Sequence, residues 1–467
     1  MEKTKTYNEI KAYEETKAKF TDFPYFEDGF QKRCKAKKSF INGKTYVPEY
    51  SYPKLDSIAF NDDISNKKDK IYKAVLELEA AKSYSSIDSS ELELYASSLE
   101  SRLKKIMLVE ASSDLYDPFI MSDSETNKRG FGEVNESLYG KYDEEMYLGI
   151  LNTERQKIDS FSPKNELACA IKSDLSTLLS DIDTSKNVEK ALLDKDDIGT
   201  LHDYVLDRYS DILDVVPNTP SDVYFDVKQC CEIMSKALKA GGLEDWLAEE
   251  NPLKVNVVTN STKKRIYLPS NTRRNADELK RLIIHEQEVH ARRLDNGEKS
   301  GVGVLGEGTA NYLNAEEGLA VMLECAVKGD FNNASIDRAR NRYITAGLAL
   351  GADGEPRDAR ETFEIMWRLV AINDSIDGMI DNQDVDGFKD KAYSFIENAY
   401  RGTQFWMKGI IYTKLKIYYE GLVANAHYLK NHINDLDKAF SEVFVGKYDH
   451  TNPRERGLVL NIVNKKE

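Results

Sequence analysis

LKRLIIHEQEVHARRLDNGEKSGVGVLGEGTANYLNAEEGLA, residues 279–320, is the stretch from which the rest of the chain is read. His285 and His290 stand five apart with Glu286 directly after the first; a glycine-rich loop follows, and a second apolar segment carries Glu316 and Glu317. Two imidazoles, a carboxylate and a spare glutamate beside them form the donor set of a catalytic zinc site. In the common H-E-x-x-H helix motif the histidines lie at i and i+4 and share one face. Here the spacing is H-E-x-x-x-H. Five residues of a regular helix turn through about 500°, which would leave the imidazoles roughly 140° apart. One ion cannot be shared across that angle. A π-bulge absorbs the extra residue, so the spacing predicts a widened turn between Ile284 and Arg292.

Only six histidines occur in the chain, and two of them flank this glutamate. A lone histidine on an amphipathic helix is ordinarily a core or surface group; a pair set around a glutamate and upstream of two more carboxylates reads as a ligand pair. A ligating imidazole needs an acceptor for its other N–H, which gives Glu316 a supporting role beside the metal. The segment 254–259 (KVNVVT) alternates and is β-branched, 265–268 (RIYL) is a second strand, and 260–263 is the turn between them. The histidine helix begins near Asn275, with Glu278 three residues on as a partial capping box, and ends at the Asn296–Gly297 pair. The run GVGVLG (301–306) matches G-x-G-x-x-G only formally, since it follows a polar loop and no βαβ unit surrounds it. Gly318, inside the next helix (about 309–327), costs roughly 1 kcal/mol relative to Ala, which a close approach of the two helices at the metal would explain. The expected fold is mostly α with a small β-sheet, α+β in class, with the active-site helix following a β-hairpin.

HEQEVH followed by AEEGLA resembles the family that includes the microtubule-associated tyrosine carboxypeptidases and the bacterial proteins with a QEGLA motif. VNVVTNSTKKRIYLPSNTRR (255–274) is similar to that family's lead-in to the zinc helix. YGKYDEEMY (139–147), YRGTQF (400–405) and YTKLKIYYEG (412–421) resemble further segments, so the likeness runs from about Leu55 to Leu429. Glu316 stands where the bacterial motif has Gln, and Leu415 where an Asp usually follows the Lys. The resemblance implies a zincin-like metallopeptidase core holding one Zn2+ ion, with Glu317 as third ligand beside His285 and His290, and Glu286 as general base. It implies a carboxypeptidase that removes a C-terminal residue, tyrosine or another aromatic among the options. Such an enzyme needs a cation for the substrate's terminal carboxylate, and Arg401 and Lys414 are the candidates. Tyr418, and less directly Tyr343, are candidate donors to the oxyanion. An aminopeptidase or endopeptidase reading stays open, as does a non-enzymatic module whose structural zinc would need a fourth protein ligand.

The net charge of −15 argues against nucleic acid and anionic membrane surfaces as partners, and against acidic tubulin tails as substrate unless a local basic patch reverses the field. A peptide or protein C-terminus is the expected partner. Five scattered cysteines without a CxxC pair, an N-terminus without an apolar run, and no stretch approaching the roughly 20 apolar residues of a membrane span suggest a cytoplasmic setting. The chain divides into an N-terminal arm (1–54, helical over 7–19), a helical region (55–215), a catalytic domain (216–432) and a polar, peripheral tail (433–467). The basic run Lys32, Arg33, Lys35, Lys37 and Lys38 reads as a solvated face, and 112–140 as a loop. Asn382, Asp384, Asp386 and Gly387 imitate a calcium loop, but its twelfth position is Tyr393, which excludes it. His427, His432 and His450 read as surface groups.

Overall fold

The computed structural model describes residues 30–48, 50, 58–81, 88–115, 124–185, 187–189, 192–254, 256–331 and 334–466. The expected helix over 7–19 lies outside them. Helices α1 (Phe30–Ile41), α2 (Ile58–Ala81), α3 (Ser89–Asp114), α4 (Ser124–Tyr139), α5 (Glu144–Ser160), α6 (Glu166–Leu178), α7 (Lys195–Arg208) and α8 (Val227–Ala240) precede the only sheet among the described residues. That sheet has the order β1 (Leu247–Glu250), β3 (Arg265–Leu268), β2 (Val258–Asn260). β2 pairs antiparallel with β3 as the expected hairpin, with Thr259 opposite Ile266, while β1 joins in parallel on the far side. β1 (LAEE) has no apolar alternation, so nothing in its composition marks it as a strand.

After the sheet comes α9, a continuous rod in three parts: Ala276–Ile283, a π-helical stretch Ile284–Ala291, and Arg292–Lys299. Asn275 caps it with the full reciprocal capping box to Glu278. The chain then runs through α10 (Tyr312–Lys328), α11 (Ala334–Leu350), α12 (Ala359–Asp374), α13 (Asn382–Tyr400), α14 (Ile417–Asn431), α15 (Leu436–Val443) and α16 (Pro453–Asn464). One apolar core extends from Ala36 on α1 to Phe444 after α15 and encloses α9 and α10. A second joins α2 and α3 to Val302, Val304 and Leu305 of the glycine loop, and to Tyr448, Val459 and Ile462 near the C-terminus. No described helix is long and apolar enough to cross a membrane.

Several local expectations need correction. The stretch read as a loop contains α4, and Asp88 rather than a serine caps α3 by accepting from Ser90 N–H. Gly297 does not end α9; a Cβ there would lie 2.1 Å from the Leu305 carbonyl oxygen, so it is a close-packing position inside the helix. Gly318 does serve close packing, but against another helix: a Cβ would lie 2.0 Å from the Gly421 carbonyl carbon on α14. The basic run on α1 is partly engaged, with Arg33 paired to Glu397 and Lys37 to Asp390. The tail is not peripheral, since Lys447, Tyr448 and His450 are buried against α9, α10 and α14. His450 is fully buried and its Nε2 donates to Asn425 Oδ1 at 2.8 Å, which overturns its reading as a surface group.

Candidate metal centre

The π-helical stretch of α9 does what the five-residue spacing requires. Its wider turn returns His290 to the face of His285, and the two ring centroids are 5.1 Å apart. Glu317, in the second turn of α10, comes alongside: His285, His290 and Glu317 each offer one ligand atom within 4.8 Å of the others. They are the one such group among the described residues. Two imidazoles and a carboxylate at that separation suit a small divalent ion of borderline softness.

Each imidazole is held from behind by a carboxylate. His285 Nδ1 donates to Glu324 Oε1 at 2.7 Å, and Ser335 Oγ donates to the other oxygen of Glu324. His290 Nδ1 donates to Glu316 Oε1 at 2.8 Å. With Nδ1 engaged on both rings, Nε2 is the nitrogen left to each for a metal, which fixes tautomer and orientation together. The two carboxylates have different surroundings. Glu316 is 2% exposed and also receives Lys447 Nζ at 3.0 Å and Arg293 at 3.4 Å. Burial alone would raise its pKa; Lys447, His290 and Arg293 outweigh that and hold it at about 2. Burial likewise pushes the His285 imidazole down, but the Glu324 bond and the nearby Glu286 and Glu317 carboxylates prevail and raise it to about 9.

Glu286 follows His285 on the π-helical stretch and is 7% exposed. Its Oε2 accepts the Thr259 hydroxyl at 2.6 Å, so the edge strand β2 grips the glutamate next to the ligand group.

The residues expected to meet substrate divide. The Tyr418 phenol is pushed above its ordinary range, first by the Glu317 carboxylate and then by burial, while Arg342, Lys414 and Arg401 pull it back. Tyr418, Arg401 and Lys414 therefore share one electrostatic neighbourhood that reaches Glu317. The Arg342 guanidinium stacks on the Tyr418 ring at 4.2 Å, and Arg401 stacks on Tyr412 at 4.6 Å. Arg338 lies one turn before Arg342 on α11, and among the described residues neither is ion-paired. Tyr343 is a correction. It is fully buried, stacks on Tyr142, and donates its hydroxyl to Asp143 O and Glu420, so it is a core residue without a free hydroxyl for an oxyanion.

Sequence reasoning missed Glu324, Thr259, Lys447, Arg293 and Arg342. Glu324 left a signal: it is a lone acid in the buried run AVMLECAV, two turns beyond Glu317, and a carboxylate there needs a partner. Lys447 left none, being 131 residues from Glu316 in sequence.

Residues 201–347 match the family model described as microtubule-associated tyrosine carboxypeptidase. No curated protein and no solved structure matches the chain.

Proposed function

We propose that this protein is a zinc-dependent peptidase of the carboxypeptidase kind, trimming one residue from the C-terminus of a peptide or protein. The observation that carries the reading is the convergence of His285, His290 and Glu317, with each imidazole aimed by its own carboxylate. The match over 201–347 spans the hairpin, α9 and α10, and its name points to the same chemistry. The histidine helix beside an edge strand supports reading the core as zincin-like.

Zinc bound by these three side chains would supply Lewis acidity toward a water and a carbonyl oxygen. The protein's own groups do the rest. Glu286 takes the proton of the attacking water through its free oxygen and passes it to the leaving amine, while Thr259 holds the other oxygen. Edge strand β2 offers backbone groups on which an extended peptide can align. Arg401 and Lys414, joined by Arg342, form the positive end that takes the terminal carboxylate. That end favours a carboxypeptidase over an aminopeptidase, which would need carboxylates there. A zinc ion held by these three side chains would keep a coordination position open, whereas a structural zinc would need a fourth protein ligand. The charge argument against acidic substrates also weakens. The chain's −15 is a sum over its whole surface, and a substrate at this cleft meets the local cations.

The test is Glu286→Gln in zinc-loaded protein, given peptides varied at the last residue and read by mass spectrometry. The wild type should shorten peptides from the C-terminal end, and the variant should bind zinc yet lose at least about 100-fold in rate. Equal hydrolysis by both proteins, or shortening from the N-terminal end, would refute the proposal.

A further inference from the structure

One junction at the metal centre is made by a part of the chain outside the matched segment and more than a hundred residues from His285, His290 and Glu317. Between α15 and α16, residues 444–450 thread through the angle between α9 and the glycine loop. Asn296 Nδ2 donates to Phe444 O at 2.7 Å, Arg293 Nε to Gly446 O at 2.9 Å, and Arg293 NH2 to Tyr448 O at 2.7 Å. Lys447 N donates to Leu305 O at 2.7 Å, and Thr309 N donates to Lys447 O at 3.0 Å, so the segment is tied on both sides. Gly446 is required by the fit: a Cβ there would lie 2.8 Å from Leu305 Cβ and 3.2 Å from Gly297 Cα. From this tether the Lys447 side chain reaches inward to Glu316 Oε1, the same oxygen that receives His290 Nδ1. A second strut closes the ring. His450 bonds Asn425, and Asn425 Nδ2 donates at 3.0 Å to the carbonyl of Ala315, the residue before Glu316.

We propose that the segment 444–450 is a built-in latch of the metal centre, with Lys447 as the positioning residue that fixes Glu316 behind His290. This rests on the reading of His285, His290 and Glu317 as metal ligands. The physical case is one of competition for a buried carboxylate. Glu316 has two cations, Lys447 and Arg293, and Arg293 reaches Oε2 only at 3.4 Å. Without the ammonium on Oε1, the carboxylate is drawn toward Arg293. The His290 ring then loses a fixed acceptor and its Nε2 is no longer aimed at the ligand group. The latch thereby makes the metal site depend on the far end of the chain being docked.

The experiment compares Lys447→Met, Lys447→Arg and Gly446→Ala with the wild type, all as full chains. Zn2+ affinity is read by competition with a chromophoric chelator, alongside the Co2+ absorption spectrum and the thermal unfolding of the metal-free proteins. Lys447→Met should weaken Zn2+ binding about 10- to 100-fold and alter the Co2+ bands. Lys447→Arg should recover most of the loss. Gly446→Ala, which levers the segment out without touching its charge, should weaken binding in the same direction. Zn2+ affinity in Lys447→Met within twofold of the wild type, or tighter, overturns the proposal, even if the metal-free protein unfolds earlier. So does a wild type that binds no Zn2+. The comparison needs no peptide hydrolysis. A protein that binds zinc and cleaves nothing would therefore sink the peptidase reading, while the affinities of the variants would still decide for or against the latch.

Discussion

The two imidazole–carboxylate pairs share the same chemical groups and are built differently. Behind His285 stands Glu324, 9% exposed and supported by a serine hydroxyl. Behind His290 stands Glu316, 2% exposed and supported by a lysine and an arginine. In the first pair the positive charge is drawn onto the histidine. In the second the carboxylate's charge is absorbed by the cations behind it. The His285 pair is therefore the more adjustable one, and the His290 pair is part of the framework that joins α9, α10 and the C-terminal segment. Identical side-chain pairs can carry different mechanical duties, decided by what stands one layer further out.

Removing each carboxylate should separate the duties, and this is the largest effect expected. Glu316→Leu strands Lys447 and Arg293 in the interior without their counter-charge, and breaking a buried pair in this way typically costs about 3–5 kcal/mol. Glu324→Leu takes an acceptor from His285 Nδ1 and from the Ser335 hydroxyl but strands no buried lysine or arginine, so its loss of stability should be clearly smaller. Its loss should appear instead in Zn2+ affinity, about 10- to 100-fold. Urea unfolding of the metal-free proteins, paired with chelator competition, checks both. Equal destabilisation by the two variants would erase the distinction.

pH sharpens the same contrast, because the pairs fail at opposite ends of the scale. His285 is raised from 6.5 to about 9, so its contribution to the stability of the metal-free fold is fully present below pH 6.5 and is lost as pH rises through about 9. Glu316 is lowered from 4.5 to about 2, so its contribution is present above pH 4.5 and is lost as pH falls through about 2. A metal must displace the His285 proton. Apparent Zn2+ affinity should therefore climb by up to about tenfold per pH unit between 6.5 and 9 and then level. Calorimetry in buffers of different ionisation enthalpy should count close to one released proton at neutral pH, and fewer in Glu324→Gln.

What the sequence discloses follows from how local each cause is. The π-helical turn is legible because the angle between residues 285 and 290 is arithmetic within one helix, and the Asn275–Glu278 box because capping is settled within four residues. Gly297 misleads because a glycine that ends a helix and one that admits a neighbouring loop look the same in one dimension; Leu305 decides between them. Tyr343 misleads because a tyrosine in a helical stretch does not disclose which face of α11 it occupies, and that face is the core. The tail is deceptive for a related reason. Its polar residues are buried because each has a partner, and those partners lie on α9, α10 and α14.

The smallest effect expected concerns Glu286, the carboxylate next to His285 in sequence, which resembles Glu324 in being steadied by a hydroxyl. Thr259 Oγ1 donates to Oε2 alone, and Thr259 is itself fixed on β2 opposite Ile266. One oxygen is thus anchored and the other stays available for the proton transfer proposed for it. Thr259→Val keeps the β-branched shape that suits an edge strand and removes only the hydroxyl. A hydrogen bond to a charged group contributes about 1.5–3 kcal/mol, and some of that returns through water at a cleft, so kcat should fall about tenfold. KM and Zn2+ affinity should hold, since the hydroxyl touches neither a ligand nor the positive end of the cleft. Thr259→Ser should restore the rate. A fall in Zn2+ affinity with kcat intact would mean that β2 braces the metal ligands through Glu286, making this hydroxyl a member of the framework with Lys447 and Arg293 instead of a partner in proton transfer.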